Sequence, residues 1–232
     1  MGEDTRVASA LVTGGSSGIG LAIAAMLHEE GFALTLAARG TERLAEAAAG
    51  LGALAVPTDV TDEAACAALV RAHADAHGGL DVLVNSAGVG MAGFIGATPT
   101  KRFDIQFAVN LRGAFIVTRE ALPLLRASRG LVVNLASIAG TIPTPGLAVY
   151  GASKAALISL SRSLAKEEAE SGVRVTALCP AFVDTPMTTF TGLSAEEMIQ
   201  PSDCAELVRS LLKLSPATRV PVLVVERAGD VV

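Results

Sequence analysis

Thr13-Gly14-Gly15-Ser16-Ser17-Gly18-Ile19-Gly20 lies between an apolar run at residues 8–13 and a helical stretch that continues as Leu21-Ala22-Ile23-Ala24-Ala25-Met26-Leu27. Four glycines at a strand-to-helix junction let the chain turn tightly and bring backbone N–H groups close to an anion. The N-terminus of the helix adds partial positive charge at the same point. The spacing is G-x-x-x-G-x-G rather than the commoner G-x-G-x-x-G, and it serves the same end, a cradle for a dinucleotide pyrophosphate. A plain strand-to-helix turn does not require four glycines. Gly14, Ser16, Ser17, Gly18, Ile19 and Gly20 are assigned to that cradle.

Outward from this turn, short apolar runs alternate with longer helical stretches. Strands are predicted near residues 8–13, 33–38, 53–57, 80–85, 131–136, 174–178 and 220–225, and helices near 19–30, 42–49, 62–77, 101–127, 149–171 and 202–214. Val82-Leu83-Val84 and Leu131-Val132-Val133 are apolar throughout rather than alternating, which marks parallel strands covered on both faces. Strand–helix alternation implies right-handed crossovers and a doubly wound α/β sheet in the order 3-2-1-4-5-6-7. The cleft then falls at the switch between strands 1 and 4. The expected unit is one Rossmann-type domain over residues 1–232.

Composition narrows the partners. The chain has 232 residues, of which 51% are hydrophobic, 3% aromatic and 18% charged, and its net charge of −5 argues against a nucleic-acid binder. No Lys/Arg-rich run points to an anionic membrane surface, and every apolar run breaks well before membrane-spanning length. The short polar start, Met-Gly-Glu-Asp-Thr-Arg, reads as neither a signal nor a transit peptide. Cys66, Cys179 and Cys204 are widely spaced and read as buried thiols of a cytoplasmic protein. His28, His73 and His77 fall on predicted helices away from the motifs, and no metal is assigned.

The end of the second strand bears on which nucleotide is held. Sites for NAD place an acid there for the ribose 2′-hydroxyl, whereas sites for NADP use an arginine. The run is Leu36-Ala37-Ala38-Arg39-Gly40-Thr41, without a carboxylate. Arg39 would clamp a 2′-phosphate by bidentate hydrogen bonds, so NADP(H) is favoured over NAD(H). A solvated arginine at a helix entrance is the bland alternative. Asp59-Val60 follows the third strand and would meet the adenine; the same segment would otherwise begin a turn, with Thr61 as helix cap. Asn85-Ser86-Ala87-Gly88 ends the fourth strand, where small residues permit close approach to a cofactor; purely structural roles fit Asn85, Ala87 and Gly88 equally well.

Ser137, Tyr150 and Lys154 carry the proton chemistry. Tyr150, the only tyrosine, and Lys154 are four apart, on one face of a helix. An ammonium beside a phenol favours the phenolate and is expected to pull the Tyr150 pKa down toward working pH. Ser137 stands where the fifth strand ends. A Tyr-x-x-x-Lys pair alone would be ordinary surface packing; the nucleotide turn upstream gives it meaning.

From Val7 to about Val225 the chain resembles the short-chain dehydrogenase/reductase family, through Thr13–Gly20 as TGGSSGIG, Asp59-Val60, Asn85-Ser86-Ala87-Gly88, Asn110, Ser137, Tyr150, Lys154, Pro180 and Thr185. Ser86 stands where that family has a second asparagine, and Ala181 follows Cys179-Pro180 where glycine is usual. The resemblance implies an NAD(P)(H)-dependent interconversion of a carbonyl and an alcohol. It implies Tyr150 as general acid/base and Lys154 as the group that lowers its pKa and binds the nicotinamide ribose. Ser137 would polarise the substrate oxygen, and Asn110 would hold a water linking Lys154 to solvent. Pro180, Thr185 and the Val183 carbonyl would lie along the nicotinamide. It also implies a homodimer or homotetramer through the stretches 103–125 and 157–169.

Residues 186–201 read as a substrate lid, whose Met187, Phe190, Leu193, Met198 and Ile199 would roof a pocket walled by Ile138, Ile142, Pro145, Leu147, Met91 and Phe94. The lid has no lysine or arginine, which fits a small, neutral, fairly apolar ketone or alcohol. The same residues would also serve simply to pack the lid down. Two other classes stand beside this reading: a catalytically silent NADP(H)-binding sensor, which would not need all four of Asn110, Ser137, Tyr150 and Lys154, and a Rossmann methyltransferase, against which Arg39 speaks.

Overall fold

The computed structural model describes residues 6–229. Residues 1–5 and 230–232, included in the expected 1–232 domain, lie outside the described residues. Seven strands, β1 (Ser9–Thr13), β2 (Ala33–Ala38), β3 (Leu54–Pro57), β4 (Val82–Asn85), β5 (Leu131–Leu135), β6 (Arg174–Pro180) and β7 (Val222–Val225), form one sheet. It is parallel throughout, in the order β3-β2-β1-β4-β5-β6-β7, as the sequence predicts. Between the strands run α1 (Gly18–Glu29), α2 (Thr41–Gly50), α3 (Glu63–His77), α4 (Thr100–Phe107), α5 (Ala114–Ser128), α6 (Ala148–Glu167) and α7 (Pro201–Lys213).

The pleat explains why the strands are apolar without alternation. Successive side chains point to opposite faces. Ala10, Val12, Val82, Val84, Leu131 and Val133 pack on one face with Ile23 and Leu27 of α1, Leu44 of α2 and Val208 of α7. Leu11, Leu83 and Val132 pack on the other with Leu69 of α3 and Ile116, Val117 and Leu125 of α5. Both faces are covered, so both registers of each central strand must be apolar. Cys66, Cys179 and Cys204 are free and buried in these layers.

Two local expectations need correction. The cap of α3 is Asp62, not Thr61: its carboxylate accepts from Ala64 N at 2.8 Å and Ala65 N at 3.1 Å, the usual N-cap geometry. Residues 101–127 are not one helix. A π-helical stretch, Ala108–Gly113, separates α4 from α5, with Asn110 buried inside it. Such wide turns concentrate at functional sites. The apolar spacing runs through it without a break, which is why the sequence shows no boundary there.

The topology gathers the sequence motifs. From β1 the chain winds outward through β2 and β3, then crosses to β4 and winds the other way. The carboxyl ends of β1, β2, β3, β4 and β5 therefore deliver the glycine turn, Arg39, Asp59, the 85–88 segment and Ser137 to one edge, at the switch between β1 and β4.

Candidate active site

The glycine turn has the shape its sequence demands. Gly14 sits at φ +67°, and a Cβ there would lie 2.7 Å from Ala87 N, so neither the conformation nor the space admits a side chain. Ser17 precedes α1 in extended conformation and makes no side-chain cap bond, and the first turn of α1 carries no acidic residue. The helix N-terminus is thus open to an anion. Gly14, Ser17, Gly18 and Ile19 line a cleft of about 510 Å³ that continues past Gly88, Tyr150 and Lys154 to Pro180, Val183 and Thr185.

A second cavity of about 280 Å³ adjoins it, sharing Gly14, Ser17, Ala87 and Gly88. Ser16, Arg39, Asp59 and Val60 line it, together with Arg43, which sequence reading missed. Arg43 lies in the first turn of α2 while Arg39 precedes its extended N-cap Gly40, so helical spacing does not link the two; the signal in the chain is a second arginine just after the β2 end. Asp59 Oδ1 accepts from the Thr61 N–H at 2.9 Å and hydroxyl at 2.8 Å. These bonds, with a further contribution from Arg39, hold its carboxyl below the usual range.

Tyr150 and Lys154 lie on α6, and Ser137 follows β5 and caps the short turn Ile138–Gly140, accepting from Ala139 N at 3.2 Å. The Lys154 ammonium is buried and donates to the Leu135 carbonyl at 2.6 Å; burial lowers its pKa to about 8. Its Nζ lies 5.7 Å from the centre of the Tyr150 ring. Contrary to expectation, Tyr150 is held above its ordinary pKa, because burial of the phenol outweighs the hydrogen bond from Ser137 that favours the phenolate. The phenol is therefore the form present at neutral pH. Asn110 spends its side chain on protein groups: Oδ1 accepts from Val89 N at 2.8 Å, and Nδ2 donates to Val89 O at 2.9 Å and Ser153 Oγ at 3.0 Å. It fixes the 88–89 backbone against α6; Gly88 lies so close that a Cβ would be 3.4 Å from Asn110 Oδ1 and 3.5 Å from Lys154 Nζ.

On the other side of Tyr150 a cavity of about 510 Å³ is lined by Ser137, Ile138, Ile142, Leu147, Met187 and Phe190 among others. Tyr150 borders both this apolar cavity and the glycine-turn cleft, Ser137 only the apolar one, and Lys154 only the glycine-turn cleft. Tyr150 stands between two cavities, with the Ser137 hydroxyl lining one and the Lys154 ammonium the other.

The short chain dehydrogenase family profile matches residues 8–194. The chain is 40% identical over 202 residues to an uncharacterized oxidoreductase of Staphylococcus epidermidis, covering 86% of this chain and 88% of the relative. Among solved structures it is similar to an alcohol dehydrogenase of Thermococcus sibiricus complexed with 5-hydroxy-NADP, at TM-score 0.90 and 30% identity over 97% of each chain. It is similar also to a 3-ketoacyl-(acyl-carrier-protein) reductase of Brucella melitensis complexed with NADH, at TM-score 0.87 and 29% identity over 95% and 96% of the two chains. The chain belongs to the short-chain dehydrogenase family.

Within this short-chain dehydrogenase some sequence-assigned residues stand away from the cavities. Gly20 is a packing position, since a Cβ there would lie 2.5 Å from Gly14 O. Asn85 turns into the sheet, where Nδ2 donates to Thr118 Oγ1 at 2.9 Å and Asn134 Oδ1 at 2.8 Å. Val183, by contrast, does line the glycine-turn cleft, but its carbonyl accepts from Thr188 Oγ1 at 2.6 Å, and the residue pairs with Ile199. Of the expected pocket residues, Pro145, Phe94, Leu193, Met198 and Ile199 are not in the apolar wall, and Met91 borders the glycine-turn cleft instead. Phe182, Thr144 and Gly229 take their places. Among the described residues no helix is long and apolar enough to cross a membrane.

Proposed function

We propose that this short-chain dehydrogenase is an NADP(H)-dependent oxidoreductase that interconverts a ketone or aldehyde and an alcohol by hydride transfer, with Tyr150 as general acid/base. The observation that carries the reading is Tyr150 bordering both cavities between Ser137 and Lys154. A proton donor has to reach the substrate oxygen while the substrate carbon faces the cofactor.

The residues fit a dinucleotide. Gly14 leaves the room a Cβ would fill, and the open start of α1 suits a pyrophosphate. Arg39 and Arg43 would hold a 2′-phosphate at the far end, which supports NADP(H) over NAD(H). When bound, the nicotinamide supplies or accepts the hydride. Tyr150, a phenol at neutral pH, donates its proton to a carbonyl oxygen that the Ser137 hydroxyl orients. The phenolate left behind would be countered by the Lys154 ammonium, whose Nζ lies over the ring at 5.7 Å from its centre. In the oxidative direction the phenolate takes the alcohol proton. Asn110 holds the 88–89 backbone and Ser153, and so the floor under Lys154. The apolar cavity fits a small, neutral, fairly apolar substrate. The face bearing Phe107, Leu111, Phe115 and Leu160 supports a homodimer or homotetramer through the α4–α6 region.

A panel of ketones and aldehydes followed by NADPH absorbance tests the reading. Tyr150→Phe is expected to lower kcat by at least about 100-fold while leaving NADPH affinity near the parent value. Parent-like turnover in that variant would place the acid elsewhere. Tight NADPH binding with no turnover across the panel would favour the silent sensor.

A further inference from the structure

We propose that the segment after β7, residues 226–229, walls the substrate pocket and latches its lid, and so sets the size of substituent the enzyme accepts. The inference rests on the reading of the apolar cavity as the carbonyl-substrate site. Gly229 borders that cavity beside Phe182, Met187 and Phe190 of the lid region. The sheet brings it there. Ala181 N donates to Val225 O at 2.8 Å, so the chain leaves β7 next to the turn from which the lid departs.

Two residues past β7, Arg227 Nη1 donates to the Glu197 backbone carbonyl at 3.3 Å. Glu197 ends the short turn Ala195–Glu197, the braced part of the lid. Its carboxylate accepts from the Ser194 N–H and hydroxyl, both at 2.9 Å, and Gln200 Nε2 donates to Ala195 O at 2.7 Å. At the base, Asp184 N donates to Ile199 O at 2.9 Å and Ile199 N to Phe182 O at 3.0 Å, closing the lid into a loop. Met187 and Phe190 stay 42% and 61% exposed on the intervening stretch. Arg227 therefore holds the lid by a segment already rigid within itself, and the strap it belongs to completes the cavity at Gly229.

Glycine suits this position. Gly229 has φ +88°, and a Cβ there would meet nothing within 4 Å, so the backbone faces open space rather than packing. A substrate whose carbonyl meets Ser137 and Tyr150 extends its larger substituent toward Phe190 and Gly229. The ligand class is a ketone with one bulky apolar arm, such as an aryl or bicyclic ketone; a short ketone does not reach the strap.

The test compares the full chain, Arg227→Gln and a chain ending at Glu226. Amide exchange across residues 194–200 is expected to quicken about five-fold or more in both variants, the loss of one charged hydrogen bond. The ratio of kcat/KM for 2-acetylnaphthalene to that for cyclohexanone is expected to shift by at least about five-fold, with the Kd for NADPH within about two-fold of the parent. Unchanged exchange in Arg227→Gln overturns the latch even if the shortened chain fails to fold. Faster exchange with an unchanged ratio overturns the size selection. If the full chain turns over neither ketone nor any other carbonyl, the carbonyl reading falls and the size claim with it, while exchange still decides the latch.

Discussion

His73 offers a test of the fold at the end of the sheet opposite the active site. Its side chain is 0% exposed, with Nδ1 at 2.8 Å from Thr35 Oγ1 and Nε2 at 3.0 Å from the Gly79 carbonyl. Burial, reinforced by His77, lowers its pKa from 6.5 to about 4. A histidine held neutral in the fold costs nothing at pH 7. As the pH falls below 6.5, the unfolded chain binds a proton that the folded chain refuses, and stability drops until the folded pKa is reached. At about 1.36 kcal/mol per unit, this one group removes about 2 kcal/mol between pH 7 and pH 5. Asp59, Glu63, Glu168 and Glu197 have lowered carboxyl pKa values and lose their contribution at more acid pH, so pH 5 largely avoids them. His77 is also lowered, chiefly by burial, but it is present in both proteins compared. Urea unfolding followed by circular dichroism at pH 7 and pH 5, for the parent and His73→Gln, isolates the term. The variant carries its own packing cost at both pH values, which cancels in the difference. The parent is expected to lose about 2 kcal/mol more than His73→Gln over this interval. Equal losses would refute the reasoning.

The remaining predictions concern the nucleotide end. Gly14→Ala combines a left-handed backbone with a Cβ 2.7 Å from Ala87 N; it is expected to cost about 2–4 kcal/mol by thermal melting and to weaken NADPH binding in a fluorescence titration. Arg39→Ala and Arg43→Ala are each expected to narrow the NADPH/NADH affinity ratio by about ten-fold or more, the loss of one charge-assisted hydrogen bond to phosphate, while NADH affinity stays nearly constant. An unchanged ratio in either variant removes that arginine from the 2′-phosphate site.

Much of this molecule is legible in the chain itself. The runs Val82–Val84 and Leu131–Val133 reveal a sheet covered on both faces because side-chain direction in a strand has a strict period of two. The glycine turn is legible because a tight strand-to-helix turn calls for glycine, and the structure bears this out at Gly14, where φ +67° and the close approach of Ala87 leave no alternative residue. The i, i+4 spacing places Tyr150 and Lys154 on one face of α6 by helix geometry alone. These are local constraints, written residue by residue.

Other properties depend on what the chain packs against. The Tyr150 pKa moves up rather than down because the Lys154 ammonium is turned to the Leu135 carbonyl and the half-buried phenol is desolvated, neither of which spacing can encode. Asn85 belongs to a strand-end motif yet points into a network with Asn134 and Thr118, since strand register decides which way an end residue faces. Asn110 lies in a π-turn inside an unbroken apolar pattern. Gly229 reaches the apolar cavity beside Tyr150 through the pairing of β6 with β7, more than forty positions beyond Met187 in sequence. Local geometry thus determined the fold class, the shape of the glycine turn and the pairing of Tyr150 with Lys154 on one helix face from sequence. Protonation, orientation and the walls of the pocket were decided by long-range packing, because desolvation and contact are properties of neighbours in space.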